Sequence, residues 1–232
     1  MSALAQGLAF FVSSFAKEYA RVNSDVQKRS EVEVLRKRDW AAAMDLARTI
    51  ETPWYRCQAL AYLAKSTEDQ SEKDSALREA FNVALSHEEP NRIVSVSAWP
   101  LRALVESGQA EHTAAEVERL LSIIATEPSP VRRADALELM MGAVVAAPRA
   151  IFARVFQAFL SACLSPLSGG RRNRRGQSQL YGALRIIAVV DFPLAREVGG
   201  HITGPELSER VRSLFEMWEG DPPTRENIYP RL

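Results

Sequence analysis

"LARTIETPWYRCQALAYLA", residues 46–64, decides how the rest of the chain is read. An apolar helical pattern ends at Ile50. Thr52-Pro53 then offers a capping hydroxyl followed by proline at a first helical position, and the apolar spacing resumes. The stretch is a helix, a tight corner and a second helix. Fixed-period recurrence would make that corner one unit of an array. Pro53, Pro90, Pro128, Pro166 and Pro205 each follow a helix-like stretch, with separations of about 37, 38, 38 and 39 residues. Seven residues before each proline stand Leu46, Val83, Leu121, Phe159 and Val198. The residues six before are Ala47, Ala84, Ser122, Leu160 and Gly199, four of them small enough for close helix approach.

Working outward, first helices are predicted over 40–50, 72–85, 111–125, 149–164 and 194–202. Second helices are predicted over 53–65, 91–106, 130–145, 177–190 and 206–219. Two helices, 3–22 and 24–37, precede them. No stretch alternates with a period of two between turn signals, so the chain is expected to be all-α. Pro100, inside "VSAWPLRAL" (96–104), is expected to kink its helix.

"SPVRRADALELM" and "TPWYRCQALAYLA" are similar to the second helix of HEAT-type repeats. In that helix an apolar residue and an arginine near the start are followed by alanine and leucine at helical spacing. The matching residues are Val131, Arg132, Ala136 and Leu137, then Tyr55, Arg56, Ala59 and Leu60. The resemblance covers residues 39–219 and implies a right-handed α-solenoid of about five helix pairs, with a period of about 38 residues. On this reading residues 1–38 cap the array, residues 165–179 form an Arg/Gly-rich insertion, and residues 220–232 form an extended tail.

The chain has 232 residues, 47% of them hydrophobic, as expected of an ordinary globular chain. Its 29 basic residues balance 29 acidic ones, so no global field attracts nucleic acid or anionic lipid. A polyanion would have to meet a local patch. Residues 3–16 are apolar but too short for a bilayer, and no basic residue precedes them as in a secretory signal. Leu4, Leu8, Phe11, Val12, Phe15 and Tyr19 instead mark one helix face. No membrane span and a cytoplasmic location are expected. Cys57 and Cys163 lie far apart on apolar helix faces and are expected to be free core residues.

No catalytic, cofactor-binding or metal-ligating constellation emerges. His87, His112 and His201 are scattered, and no phosphate loop or nucleophile elbow occurs. Two basic features stand out. Arg171, Arg172, Arg174 and Arg175 cluster in "SPLSGGRRNRRGQSQ" (165–179), where planar guanidinium forks could grip phosphates or carboxylates. Arg56, Arg92, Arg132 and Arg210 recur near the starts of second helices. This ladder could read a ligand, or it could pair with Glu51, Glu89, Glu127 and Glu206. In the tail, Ile228, Tyr229 and Leu232, flanked by Arg225 and Arg231, form an apolar set suited to docking on this chain or another molecule.

A non-catalytic protein-interaction scaffold with a protein partner is the expected role, since helical arrays present extended surfaces. Nucleic-acid or other polyanion binding through the arginines is the alternative. A second alternative is an enzyme resembling the HEAT-like DNA glycosylases. Neutral charge and the scattered Trp40, Trp54, Trp99 and Trp218 argue against it.

Overall fold

A computed structural model describes residues 3–166 and 174–225, with side chains from Tyr19 onward. Eleven helices and no strand occur among the described residues. They fall into two compact units, Met1–Ser86 and His87–Leu232. No helix among the described residues is long and apolar enough to cross a membrane.

The first unit contains α1 (Ala3–Leu35), α2 (Trp40–Arg48), α3 (Pro53–Ser66) and α4 (Gln70–Leu85). Asp39 caps α2 by accepting from the Ala42 N–H, and Asp69 caps α4 by accepting from the Glu72 N–H. Pro53 opens α3, where its missing N–H costs nothing. α3 packs on α4, and Leu60 and Leu63 of α3 and Ala76, Ala80 and Phe81 of α4 are buried. The small residues let the backbones approach, and the Cys57 thiol donates to the Ala80 carbonyl oxygen at 3.4 Å. Both cysteines are free and buried, as expected. Arg48 of α2 grips Glu79 of α4 with both arms of its guanidinium, at 3.0 to 3.2 Å.

The two N-terminal helices expected over 3–22 and 24–37 are one continuous helix, α1. Asn23, Ser24 and Asp25 have modest helix propensity, but none removes a backbone donor as proline would. Asp25 does not terminate its own helix. It is 1% exposed and accepts the N–H groups of Glu51 (3.2 Å) and Thr52 (2.8 Å) and the Thr52 hydroxyl (2.6 Å), at the start of α3. Tyr19, placed on a packed face by its spacing, is 64% exposed.

The second unit contains α5 (Pro90–Glu106), α6 (Ala110–Ile124), α7 (Pro130–Ala143), α8 (Arg149–Leu164), α9 (Arg174–Val190), α10 (Phe192–Gly200) and α11 (Pro205–Gly220). Prolines open α5, α7 and α11, and Pro193 lies in the first turn of α10. α5 continues through the buried Pro100 to Glu106. Alternate helices touch in order: α5 packs on α7, α7 on α9, and α9 on α11. α6 likewise packs on α8, where Arg154 grips both oxygens of Glu118 at 2.8 Å. Leu104, Leu120, Leu137, Met140, Phe152, Phe159 and Leu184 fill the interior. Phe192, Phe215 and Trp218 meet edge to face, with centroids 5.5 to 6.4 Å apart, and hold α10 to α11. Gly199 permits that approach, because a β-carbon there would lie 2.6 Å from a ring carbon of Phe215.

Candidate functional site

The arginine ladder is consumed within the fold at most of its rungs. In the first unit, the Arg56 Nε donates to the Ile50 carbonyl oxygen at 2.6 Å. The expected partner, Glu51, instead gives its N–H to Asp25. In the second unit, Arg92 pairs with Glu89 at 2.8 Å. Arg132 reaches Glu89 at 3.0 Å, the buried Glu127 at 3.3 Å, and the side-chain oxygen of Asn91 at 2.5 Å. This chain of alternating charges ties the start of α5 to the start of α7. Arg210 lies over the Tyr181 ring, 4.7 Å from its centroid, instead of meeting Glu206.

The basic cluster divides. Arg171 and Arg172 lie outside the described residues, as do Ile228, Tyr229 and Leu232 of the tail. Arg174 and Arg175 do not belong to a loop: they are the first two residues of α9, which starts three residues earlier than its sequence pattern predicts. The buried Gly176 in that first turn lowers helix propensity, but packing of the remaining turns outweighs it. Arg174 and Arg210 border a cavity of about 620 Å³ between the starts of α9 and α11. Glu206 shares it, as does Gln177, which accepts the Thr203 N–H at 2.8 Å.

A groove of about 610 Å³ runs across α7, α9 and α11. Helical spacing places Asp135, Glu138 and Leu139 on one side of α7, and Tyr181, Arg185 and Ile186 on the facing side of α9. α11 adds Leu214 and Trp218. The walls are mainly apolar, and Leu139 is 40% exposed in them. Gly182 lets the Glu138 carboxyl sit close to α9, since a β-carbon there would lie 3.3 Å from Oε1.

The electrostatics of the groove follow from that closeness. Burial pushes the Glu138 carboxyl up to about 7, the neighbouring Asp135 charge pushes the same way, and Arg175 opposes them. Asp135 is fixed by the Gln179 amide, which donates to it at 2.6 Å and to the Val131 carbonyl oxygen at 3.1 Å. The Gln179 Oε1 is buried and finds no partner among the described residues. Burial, and then the Glu138 and Asp135 charges, push the Cys163 thiol up to about 12, so it is neutral at physiological pH. The arrangement therefore offers a mainly apolar trough with two carboxyls on α7 and the Arg185 guanidinium on the facing side of α9.

A carboxyl whose folded pKa is raised costs stability as it ionises. Wild-type protein should lose stability as pH climbs from the ordinary glutamate range, near ~4.3, towards about 7, then level off. Glu138→Gln should show no such loss and should be the more stable protein at pH 8, by at most ~4 kcal/mol at ~1.4 kcal/mol per tenfold change in proton affinity. Denaturant titrations at pH 5 and pH 8 measure the difference. Equal stability of the two proteins at both pH values would refute the buried-carboxyl account.

Asp135 and Glu138 lie in the quoted "SPVRRADALELM" stretch, yet sequence reading passed over them. Their three-residue spacing was a visible signal of a shared helix face. Comparison with known proteins finds no matching family model, no matching curated protein and no matching solved structure.

Proposed function

We propose that this chain is a non-catalytic protein-interaction module, built as a HEAT-like helical array, that docks a partner segment in the α7–α9–α11 groove. The observation that carries this reading is the groove itself: a mainly apolar trough with Leu139 exposed in its wall and with Asp135 and Glu138 facing Arg185. Such a surface suits an apolar segment with one basic side chain, anchored by desolvated contacts and oriented by charge. Repeated links between alternate helices support the array. Glu89 and Asn91 join Arg132, Gln179 joins Val131 and Asp135, and Gln177 joins Thr203. Each ties the start of one such helix to the start or preceding corner of the next.

Selection from a random peptide library by the full chain tests the reading. Apolar sequences with Arg or Lys should be enriched, and Leu139→Asp or Asp135→Lys should reduce the affinity of the selected peptides at least tenfold. No enrichment, or enrichment indifferent to both variants, would overturn it. Arg174 and Arg210 on one cavity favour the polyanion alternative. Oligonucleotide binding that weakens steeply with salt and is lost in Arg174→Ala/Arg210→Ala, without peptide selection, would favour that alternative instead.

A further inference from the structure

We infer that the groove across α7, α9 and α11 and the cavity between the starts of α9 and α11 form one crease, which takes a partner segment carrying an acidic side chain about five residues from its apolar anchor. This rests on the reading of the groove as a peptide-docking surface, and adds a carboxylate subsite to it. Three observations carry it.

The first is alignment. On α9, Arg174 and Ser178 border the cavity, and Tyr181 and Arg185 border the groove. Their spacing of four, three and four residues places all of them on one stripe of that helix. On α11, Leu207 and Arg210 border the cavity, and Leu214 and Trp218 the groove, again at helical spacing. The two sites therefore follow one another along the same pair of helices. They meet where Arg210 lies over the Tyr181 ring, 4.7 Å from its centroid. Arg185 stands eleven positions beyond Arg174, about 16 Å at a rise of ~1.5 Å per residue. Extended chain covers that distance in about five residues.

The second is charge. By its lining residues the groove holds one carboxyl in excess, Asp135 and Glu138 against Arg185. The cavity holds one guanidinium in excess, Arg174 and Arg210 against Glu206. Arg175 acts on the Glu138 charge without lining the groove, which lessens the first excess and not the second. The third is the supply of donors. Arg174 and Arg210 are both exposed, and a guanidinium over a ring keeps its in-plane N–H groups for a planar acceptor. The Ser178 hydroxyl lies 3.4 Å from the Arg174 carbonyl oxygen, and the Thr203 hydroxyl 3.4 Å from the Gln177 side-chain oxygen. Both contacts are long for O–H···O bonds, so either hydroxyl can turn to an entering acceptor. A carboxylate is planar, and its single charge matches the excess of one guanidinium. A phosphate monoester, at about −1.5 to −2, exceeds it.

Peptides selected from a random library by the full chain test this. Asp or Glu should recur about four to six positions from the apolar residues. Gln at that position should weaken binding to wild type at least about fivefold, and should not weaken binding to Arg174→Glu. With Lys there, the peptide should bind Arg174→Glu at least about fivefold more tightly than wild type, an exchange of preference that loss of structure cannot produce. Arg210→Gln should likewise lose the preference for the acidic peptide, and circular dichroism checks that each variant is folded. Peptides sensitive to Leu139→Asp but indifferent to both arginine variants leave the interaction groove standing and overturn this inference alone. No selected peptide overturns both. Tighter binding of phosphoserine than of glutamate at the acidic position assigns the arginines to phosphate and overturns the inference. So does oligonucleotide binding that the arginine variants abolish and Leu139→Asp leaves intact.

Discussion

Asp25→Ala is expected to lower the unfolding free energy by about 3 kcal/mol at neutral pH, an effect large beside the marginal stability of most domains. Asp25 is 1% exposed and is the acceptor for two backbone N–H groups and one hydroxyl where α3 begins. Truncation leaves all three part-buried groups without their acceptor. In the wild-type structure the Thr52 hydroxyl donates to Asp25 and makes no cap bond to its own helix. The pH dependence gives a second, independent check. Burial alone would raise the Asp25 pKa, but the Thr52 hydroxyl, the Thr52 and Glu51 N–H groups and the Lys28 charge together hold it below the ordinary carboxylate value. A lowered folded pKa means that the stabilisation is fully present above the unfolded value of ~3.9 and is lost as pH falls through the folded one. The gap between wild type and Asp25→Ala should therefore narrow in acid. Urea titrations at pH 7 and pH 3 measure it, and a gap under about 1 kcal/mol at pH 7, or one that widens in acid, would contradict this account.

Phe159→Ala should cost about 4 kcal/mol, within the range for removing a fully buried ring. Phe159 is 0% exposed in α8, among a core that includes Phe152, Phe156 and Met140. Lost burial and the cavity left behind both contribute, because surrounding structure relaxes only in part around a deleted core side chain. Phe159→Leu keeps most of the volume and should cost less than half as much. Thermal and denaturant unfolding of both variants check the pair. Similar small losses for the two would mean that the α8 interior is loosely packed.

Those two residues also show what could be read from the sequence. Phe159 stands seven residues before a proline in the repeating pattern, as Val198 does, and both are buried. Leu46 and Leu121 at the same register are half-buried, since packing of each helix sets the final rotation. Helix positions were legible because their signals are local. Proline at a first turn, an aspartate or serine cap and a 3.6-residue apolar period each act within a few residues. Asp25 was illegible as a corner brace, because its meaning lies in Thr52, on another helix. The single helix α1 was misread as two for the same reason.

The ladder shows the boundary within one motif. Arg132 meets Glu89 and Glu127 as expected, because acids end the corners that precede α5 and α7. Arg56 departs from that expectation because Asp25 already occupies its corner and leaves the Ile50 carbonyl oxygen as the acceptor. The groove was the least legible feature. Asp135 and Glu138 share a face by spacing alone, but the raised Glu138 pKa depends on Gly182 and α9 packing against it. That juxtaposition is tertiary, and no local pattern announces it.

The docking role of the groove is tested most directly by site-specific photocrosslinking. A benzophenone side chain placed at Leu139, 40% exposed in the groove, is compared with one at Leu164, 54% exposed at the end of α8. Each protein is irradiated with a library-selected peptide, with and without excess unlabelled competitor. The groove account predicts adducts from position 139 that the competitor suppresses, and little adduct from position 164. Equal yields at the two positions, or no suppressible adduct at 139, would contradict it.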